Sequence, residues 1–465
     1  MIDNFYMLTG NWLSSSLLAT ATEAATESDA EEGTLILAGV LLSLVIIYFA
    51  SKLGGEVCSR INLPPVLGEL VGGVLIGISA FRLLVFPESS AAEDSLLISF
   101  LQTTAGLPSE AADSVFAAQS EVITLLSELG VIILLFEIGL ESDLKELIRV
   151  GPIAAVVAVV GVIAPFVTGT AGLVYIFNTP VIPAIFAGAA LTATSIGITA
   201  KVLAELGQLS SEEGQIIIGA AVLDDILGIV VLAVVASLVK TGEIQVSNII
   251  YLIISAAVFL IGSILLGRLV SPLLVGLVNE MKTRGEVLLT GLVFAFILSY
   301  IATVINLEGI LGAFAAGLIL AETEKRKELE EQIIPVADFL VPIFFVCVGA
   351  KTDLSVLNPA VPSNREGLII ATFLILVAIL GKVITGFTVF GNPDLNKLAI
   401  GVGMIPRGEV GLVFAGVGSA SGALSEATEA AIIVMVITTT FVAPPLLRLV
   451  FKETDVAQPV DKVQE

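Results

Sequence analysis

The sequence predicts an all-α polytopic membrane protein of about 13 transmembrane helices, built as inverted-topology repeats with two broken crossing helices. Three observations carry that prediction. The 465-residue chain is 56% hydrophobic and 14% charged, where a soluble domain carries roughly 25% charged residues. Apolar runs of about 20 residues, enough for a helix to cross roughly 30 Å of hydrocarbon, recur from Leu35 onward. Two pairs of motifs also recur in the same order, seven spans apart.

Taken in order, spans are expected at about 35–52, 64–86, 122–140, 152–177, 181–205, 213–239, 247–270, 285–306, 308–322, 333–350, 366–388, 396–419 and 426–450. The transmembrane domain is thus expected over 35–450, followed by a short cytoplasmic tail at 451–465. Ahead of it, residues 1–34 hold Asp3, Glu23, Glu27, Asp29, Glu31 and Glu32 and no Lys or Arg. That composition reads as an extracytoplasmic or lumenal tail, polar or partly helical, and lacks the basic start of a secretory signal peptide. The long connection at 87–120 is acidic as well. Of the 21 Lys and Arg, four (Arg82, Lys240, Lys351 and Arg365) fall in outer connections and two within spans, leaving fifteen on the inner side. The positive-inside rule then places the N-terminus outside and the C-terminus in the cytoplasm.

The net charge of −23 lies mainly in solvated segments and argues against a nucleic-acid partner. Cys58 and Cys347 offer no disulfide framework. Histidine is absent, so any pH response must come from carboxylates or lysines.

The third expected span ends "LLFEIGLESDL" (134–144) and the tenth "FFVCVGAKTDL" (344–354), both containing G-x-x-x-D-L, at Gly139/Asp143 and Gly349/Asp353. The second span has "GELVGGVLIG" (68–77) and the ninth "EGILGAFAAGLIL" (308–320), which pair Gly72/Gly77 with Gly312/Gly317. Seven spans is an odd offset, so the two halves run in opposite senses, a signature of secondary transporters whose site lies where the repeats meet. Two spans, mates in this repeat, look interrupted. The fifth holds "LTATSIGITAK" (191–201), with hydroxyls at Thr192, Thr194, Ser195 and Thr199; the twelfth holds "GMIPRGEVG" (403–411), where Pro406 removes a backbone donor. Arg407 and Glu409 are expected to neutralise each other or other buried charge there.

The sixth span contains "AAVLDDILGIVVLAVV" (220–235), with Asp224 and Asp225 adjacent in an oily helix. A carboxylate at the bilayer centre costs roughly 2.5–3.5 kcal/mol, which marks such residues as functional. Neighbours on a helix point about 100° apart, so the two acids divide the work. One is expected to face a cavity and bind a cation, the other to face a neighbouring helix and a partner. Lys382, in "ILVAILGKVITGF" (375–387), is the candidate partner. A proton and a small hard cation such as Na⁺ or Li⁺ compete for the same oxygens, which makes this a proton–cation exchange device. It is not expected to be an enzyme: an intramembrane aspartyl protease needs its two acids to converge from separate helices.

The segments "LGELVGGVLIG", "LGVIILLFEIGLESDL", "TATSIGITAKVL", "VLDDILGIV", "PIFFVCVGAKTDL", "GKVITG" and "MIPRGEVGLV" resemble those of the monovalent cation:proton antiporters, in the branch of NapA-type Na⁺/H⁺ antiporters. The likeness runs from Leu67 to Val413. It implies a thirteen-helix NhaA/NapA-like antiporter fold with a dimerisation panel and a mobile core, here about 122–239 and 333–450. It further implies elevator-type exchange of Na⁺ (or Li⁺) for H⁺, a homodimer in membrane lipid, and no cofactor. Carried over by position, Asp225 looks like the ion- and proton-binding carboxylate that takes the transported Na⁺. Asp224 looks like the acid paired with Lys382; Thr194 and Ser195 fall at the first break; Arg407 and Glu409 match the charged pair at the second. Potassium-efflux relatives typically carry Gln-Asp for Asp-Asp and often a C-terminal nucleotide-binding domain, whereas this sequence stops about 15 residues after its last span. The expectation is therefore Na⁺, with K⁺/H⁺ exchange as the alternative and an ion-coupled symporter of a larger solute more distant. The acidic tail and the 87–120 loop resemble antiporters of photosynthetic membranes, so a thylakoid membrane stands beside a bacterial inner membrane as the expected site. If Lys382 also carries a proton, transport is electrogenic.

Overall fold

A computed structural model describes residues 3–241, 246–360, 362–390 and 395–457, so residues 458–465 of the expected tail lie outside the described residues. No strand occurs among the described residues. The helices are α1 (Asp3–Arg60), α2 (Pro65–Ile76), α3 (Leu96–Thr104), α4 (Ala112–Glu141), α5 (Leu144–Tyr175), α6 (Val181–Ala190), α7 (Ile196–Glu205), α8 (Glu212–Thr241), α9 (Val246–Glu280), α10 (Glu286–Val304), α11 (Gly309–Leu320), α12 (Arg326–Ala350), α13 (Pro362–Gly386), α14 (Lys397–Gly403), α15 (Glu409–Ala420) and α16 (Glu426–Ala457). Among the described residues nine helices are long and apolar enough to cross a membrane, and four shorter apolar helices accompany them. Along α1 the exposed side chains Leu37, Leu41, Val45, Phe49, Leu53 and Val57 recur every fourth residue. An outward apolar stripe of that kind suits hydrocarbon as the surrounding solvent.

Several boundaries differ from the sequence expectation, three of them toward the N-terminus. The first helix takes in the acidic tail as one continuous element, Asp3–Arg60. The second stops at Ile76 instead of near 86, because Gly77 turns extended (φ −81°, ψ −163°) where it meets the backbone of Ala350. The 87–120 connection is structured as well. Ser95 accepts from the Ile98 N–H (3.3 Å) to start α3, and Leu97, Ile98 and Leu101 bury with Val115 and Phe116 against Leu35, Ile36 and Leu42 of α1. This apolar cluster draws the start of α4 back to Ala112 from the expected 122.

The helices pack as two bundles. In the first, α4 lies on α11 and α12, α2 on α1 and α12, and α10 on α11. In the second, α5 lies on α8 and α6, α13 on α16, α5 and α14, and α15 on α16 and α6. Contacts between them are sparse and include α7 against α4 and α2. Helices α4 and α12, which the sequence reading drew into the core, pack within the first bundle. The long α9 runs along the outside, touching α8, α10 and α11.

Glycines set the closest crossings of the first bundle. A Cβ on Gly139 of α4 would lie 3.0 Å from Cα of Gly317 on α11, and one on Gly349 of α12 would lie 3.0 Å from Cα of Gly73 on α2. Four residues after each of the first members, an aspartate restarts the chain. Asp143 accepts from the N–H groups of Lys145 (2.8 Å) and Glu146 (3.2 Å) to cap α5, and Asp353 accepts from that of Ser355 (2.8 Å). The repeated G-x-x-x-D-L is therefore one local solution used twice: a close crossing, then a capped turn. The contacts also refine its register. Gly317 is matched by Gly73, not Gly77, and Gly312 by Gly68, each of the latter two lying on the backbone of a neighbouring helix, α10 and α1 respectively.

Candidate functional site

The fifth and twelfth expected spans are both broken. Helix α6 ends at Ala190 and α7 begins at Ile196; α14 ends at Gly403 and α15 begins at Glu409. Each break leaves backbone groups that no helix satisfies, and the two breaks satisfy one another. The Ser195 N–H donates to the Pro406 carbonyl at 2.8 Å. Thr194 Oγ1 donates to the Met404 carbonyl at 3.2 Å and Thr199 Oγ1 to that of Gly403 at 2.9 Å. All three hydroxyl-bearing residues are buried. Unwound backbone at such a depth is tolerable only when packed like this or lining a cavity.

Arg407 is completely buried. Its guanidinium donates to the carbonyls of Leu191 (2.6 Å), Met404 (3.2 Å) and Ile405 (3.3 Å). Leu191 and Met404 close the C-terminal ends of α6 and α14, so one cation sits on the negative ends of two half-helices. Thr440 Oγ1 in turn donates to the Arg407 carbonyl. The expected partner Glu409 begins α15, and its side chain lies outside what is described.

With the two C-terminal ends covered by arginine, the opposite, N-terminal ends of α7 and α15 are left to face something negative. They line a cavity of about 10 Å³ that holds Asp225, room for about one water-sized particle. Ala193, Thr194, Ser195, Ile196, Gly408 and Val410 form its walls from the breaks, and Glu308 and Ile310 complete it from α11. A Cβ at Gly408 would come within 2.8 Å of Ser195 Oγ and 3.0 Å of its Cβ, so a larger residue there would press the two breaks apart. Asp225 itself is buried.

Asp224, one residue back on α8, turns to the other side. Lys382 Nζ on α13 donates to its Oδ2 at 3.1 Å, and neither side chain is exposed. The ammonium fits because α5 carries glycine opposite it: a Cβ on Gly161 would lie 3.1 Å from Lys382 Nζ. Asp224 with Lys382, and Asp225 with Thr194 and Ser195, are thus two neighbouring groups reached from one helix. Sequence reasoning placed Gly408 at the second break but did not single out Glu308 or Thr440. Glu308 left a signal, an acid heading a short apolar helix, within a segment used only for its glycines.

Two helices broken as repeat mates beside a buried carboxylate and a buried ion pair, in an all-helical apolar fold, define a secondary ion transporter. Residues 40–453 match the profile of the family described as "Sodium/hydrogen exchanger, transmembrane", and the chain belongs to that family of multi-pass membrane proteins. It is 75% identical over 437 residues to the high-affinity Na⁺/H⁺ antiporter NhaS3 of Synechocystis sp., covering 94% of each chain. It is 31% identical to the Na⁺/H⁺-K⁺ antiporter GerN of Bacillus cereus, over 90% of this chain and 98% of that protein. In fold it is similar to the sodium proton antiporter MjNhaP1 of Methanocaldococcus jannaschii, with a TM-score of 0.59 at 18% identity, covering 92% of this chain and 99% of that one.

Proposed function

We propose that this protein exchanges Na⁺ (or Li⁺) for H⁺ across a membrane, with Asp225 as the carboxylate that takes either ion in turn. The observation that carries the reading is the one-ion cavity at the crossing of the two breaks, with Asp225 in it and the Asp224–Lys382 pair alongside. The likeness to the Na⁺/H⁺ antiporter of Synechocystis, 75% identical, supports the same activity, and the likeness to the Na⁺/H⁺-K⁺ antiporter GerN keeps K⁺ as the alternative cation.

In this reading Na⁺ displaces a proton from Asp225 and is completed by the hydroxyls of Thr194 and Ser195. Its positive charge weakens the hold of Asp224 on Lys382, and the loaded site then changes sides. The moving unit is α5–α8 with α13–α16, a narrower core than 122–239 and 333–450, because α4 and α12 pack on α2 and α11. The first bundle stays in place and serves as the dimerisation panel. With thirteen crossings, counting each broken pair once, the termini lie on opposite sides, and the excess of Lys and Arg in the inner connections supports an N-terminus outside or in a lumen and a C-terminus in the cytoplasm, in a bacterial inner membrane or a thylakoid. Release of a proton from Lys382 as well as Asp225 makes the exchange electrogenic. The protein is a transporter and not an enzyme, and needs no cofactor.

The test is proton movement in sealed liposomes holding the purified protein. Addition of Na⁺ or Li⁺ is expected to collapse a preset pH gradient, and Asp225→Asn is expected to abolish the response. A response to K⁺ alone would move the assignment to the K⁺/H⁺ alternative. No response to any of the three cations in folded protein would overturn it.

A further inference from the structure

One wall of the cavity beside Asp225 comes from outside the second bundle. Glu308 and Ile310 line it, and both belong to the head of α11, which packs on α4 and α10 in the first bundle. Asp225 rides on α8, packed on α5 in the second. Helix α11 is short. Its 12 residues span about 18 Å, against roughly 30 Å of hydrocarbon, so α11 cannot reach both membrane faces, and its head lines the cavity that holds Asp225. The residue just before its first turn has extended backbone (φ −71°, ψ 135°) and is Glu308.

We propose that Glu308 is a second cation-binding carboxylate, supplied by the first bundle, which strengthens Na⁺ binding on one face of the membrane only. The proposal rests on the exchange reading above. A Na⁺ ion in the cavity meets Asp225, Thr194 and Ser195 on the moving side and Glu308 on the stationary side. In a space this small and poorly hydrated, a second negative charge adds substantially to the attraction for one cation. When α8 moves past α11, Asp225 takes the ion with it and Glu308 stays behind. The ion then faces the other side with one ligand fewer. Two faces served by the same aspartate thereby acquire different affinities, and the difference is a property of the pairing between bundles.

The experiment is Na⁺-driven proton movement in membrane vesicles of opposite sidedness, right-side-out and everted, for the wild type, Glu308→Gln, Glu308→Asp and Asp225→Asn. Glu308→Gln is expected to raise the half-saturating Na⁺ concentration about tenfold on one face and by less than about twofold on the other. Glu308→Asp, which keeps the charge on a shorter stem, is expected to give a smaller shift on the same face. An acid that only steadied the start of α11 would lower thermal stability and leave the two half-saturation values unaltered. Unaltered values on both faces, or equal shifts on both, overturn the proposal. If Glu308→Gln does not accumulate, Glu308→Asp decides by the same criterion of one-sidedness. Exchange absent from the wild type, or surviving in Asp225→Asn, brings down the underlying reading and this one with it. Exchange lost in Asp225→Asn but unaffected by Glu308→Gln brings down the role of Glu308 alone.

Discussion

Lys382 and Asp224 are each tolerable in the interior only because of the other. Removing one partner of a buried ion pair costs about 3–5 kcal/mol, whereas replacing both with apolar groups of similar volume is often neutral. Lys382→Ala is therefore expected to lower the thermal unfolding temperature in detergent markedly. Lys382→Met combined with Asp224→Leu should recover most of that loss, although Asp224 and Lys382 no longer report on transport in such a protein. The recovery is the discriminating result: a double variant as unstable as the single one would mean that the ion pair itself holds the fold together, beyond each charge merely making the other tolerable. A separate expectation concerns current. Lys382→Gln, if it still exchanges, should move ions without building a membrane potential, as read by a potential-sensitive dye; a persistent potential would remove Lys382 from the proton count. The acid–lysine pair was legible in the sequence because a lysine in the middle of "ILVAILGKVITGF" has few physical excuses. Glu308 was not legible in that way, since an acid at the edge of an apolar run normally marks a water-exposed helix end. That Glu308 lines the cavity beside Asp225 follows only from how α11 and α8 come together, which is a tertiary matter.

Among elements, the helix pairs α4/α11 and α12/α2 are held at backbone-to-backbone distance by Gly139 with Gly317 and Gly349 with Gly73. Gly139→Val and Gly349→Val should each cost about 1–3 kcal/mol by overpacking, seen as lower thermal stability. Gly72→Val should show a comparable cost for a different reason, because it faces the backbone at Ala50 of α1 and not α12. A Gly349→Val protein as stable as wild type would show that the crossing can open without penalty. The sequence made the repeat visible through these glycines but left its register open. "GELVGGVLIG" offers several glycines, and which of them faces α12 is decided by the rotation of α2, a tertiary matter. The same limit explains α3. An acidic stretch reads as solvated, and Leu97, Ile98 and Leu101 find their apolar partners on α1, some sixty residues earlier. The two broken spans were easier: Pro406 and the clustered hydroxyls at 192–199 announce interrupted helices on local chemistry alone.

For the molecule as a whole, the proposed exchange fixes the direction of its pH response, because in it Na⁺ and H⁺ compete for one carboxylate. A proton on Asp225 would then exclude Na⁺, so apparent Na⁺ affinity is expected to fall as pH drops. Below the midpoint of the carboxylate each further pH unit should raise the half-saturating Na⁺ concentration about tenfold for one competing proton, and above it the value should level off. Initial exchange rates at graded Na⁺ across a pH series measure this directly; a half-saturation value constant with pH would show that the two ions use different groups. The buried guanidinium of Arg407, held by the carbonyls of both helix breaks, bears on what the crossing does between turnovers. It carries a charge that ordinary pH does not remove, fixed where the two halves of the protein meet. Any cation or hydrated proton passing between the two breaks would be repelled by it. A fixed positive charge there works against uncoupled leak, which a membrane that stores its energy as ion gradients requires of every protein it holds in many copies.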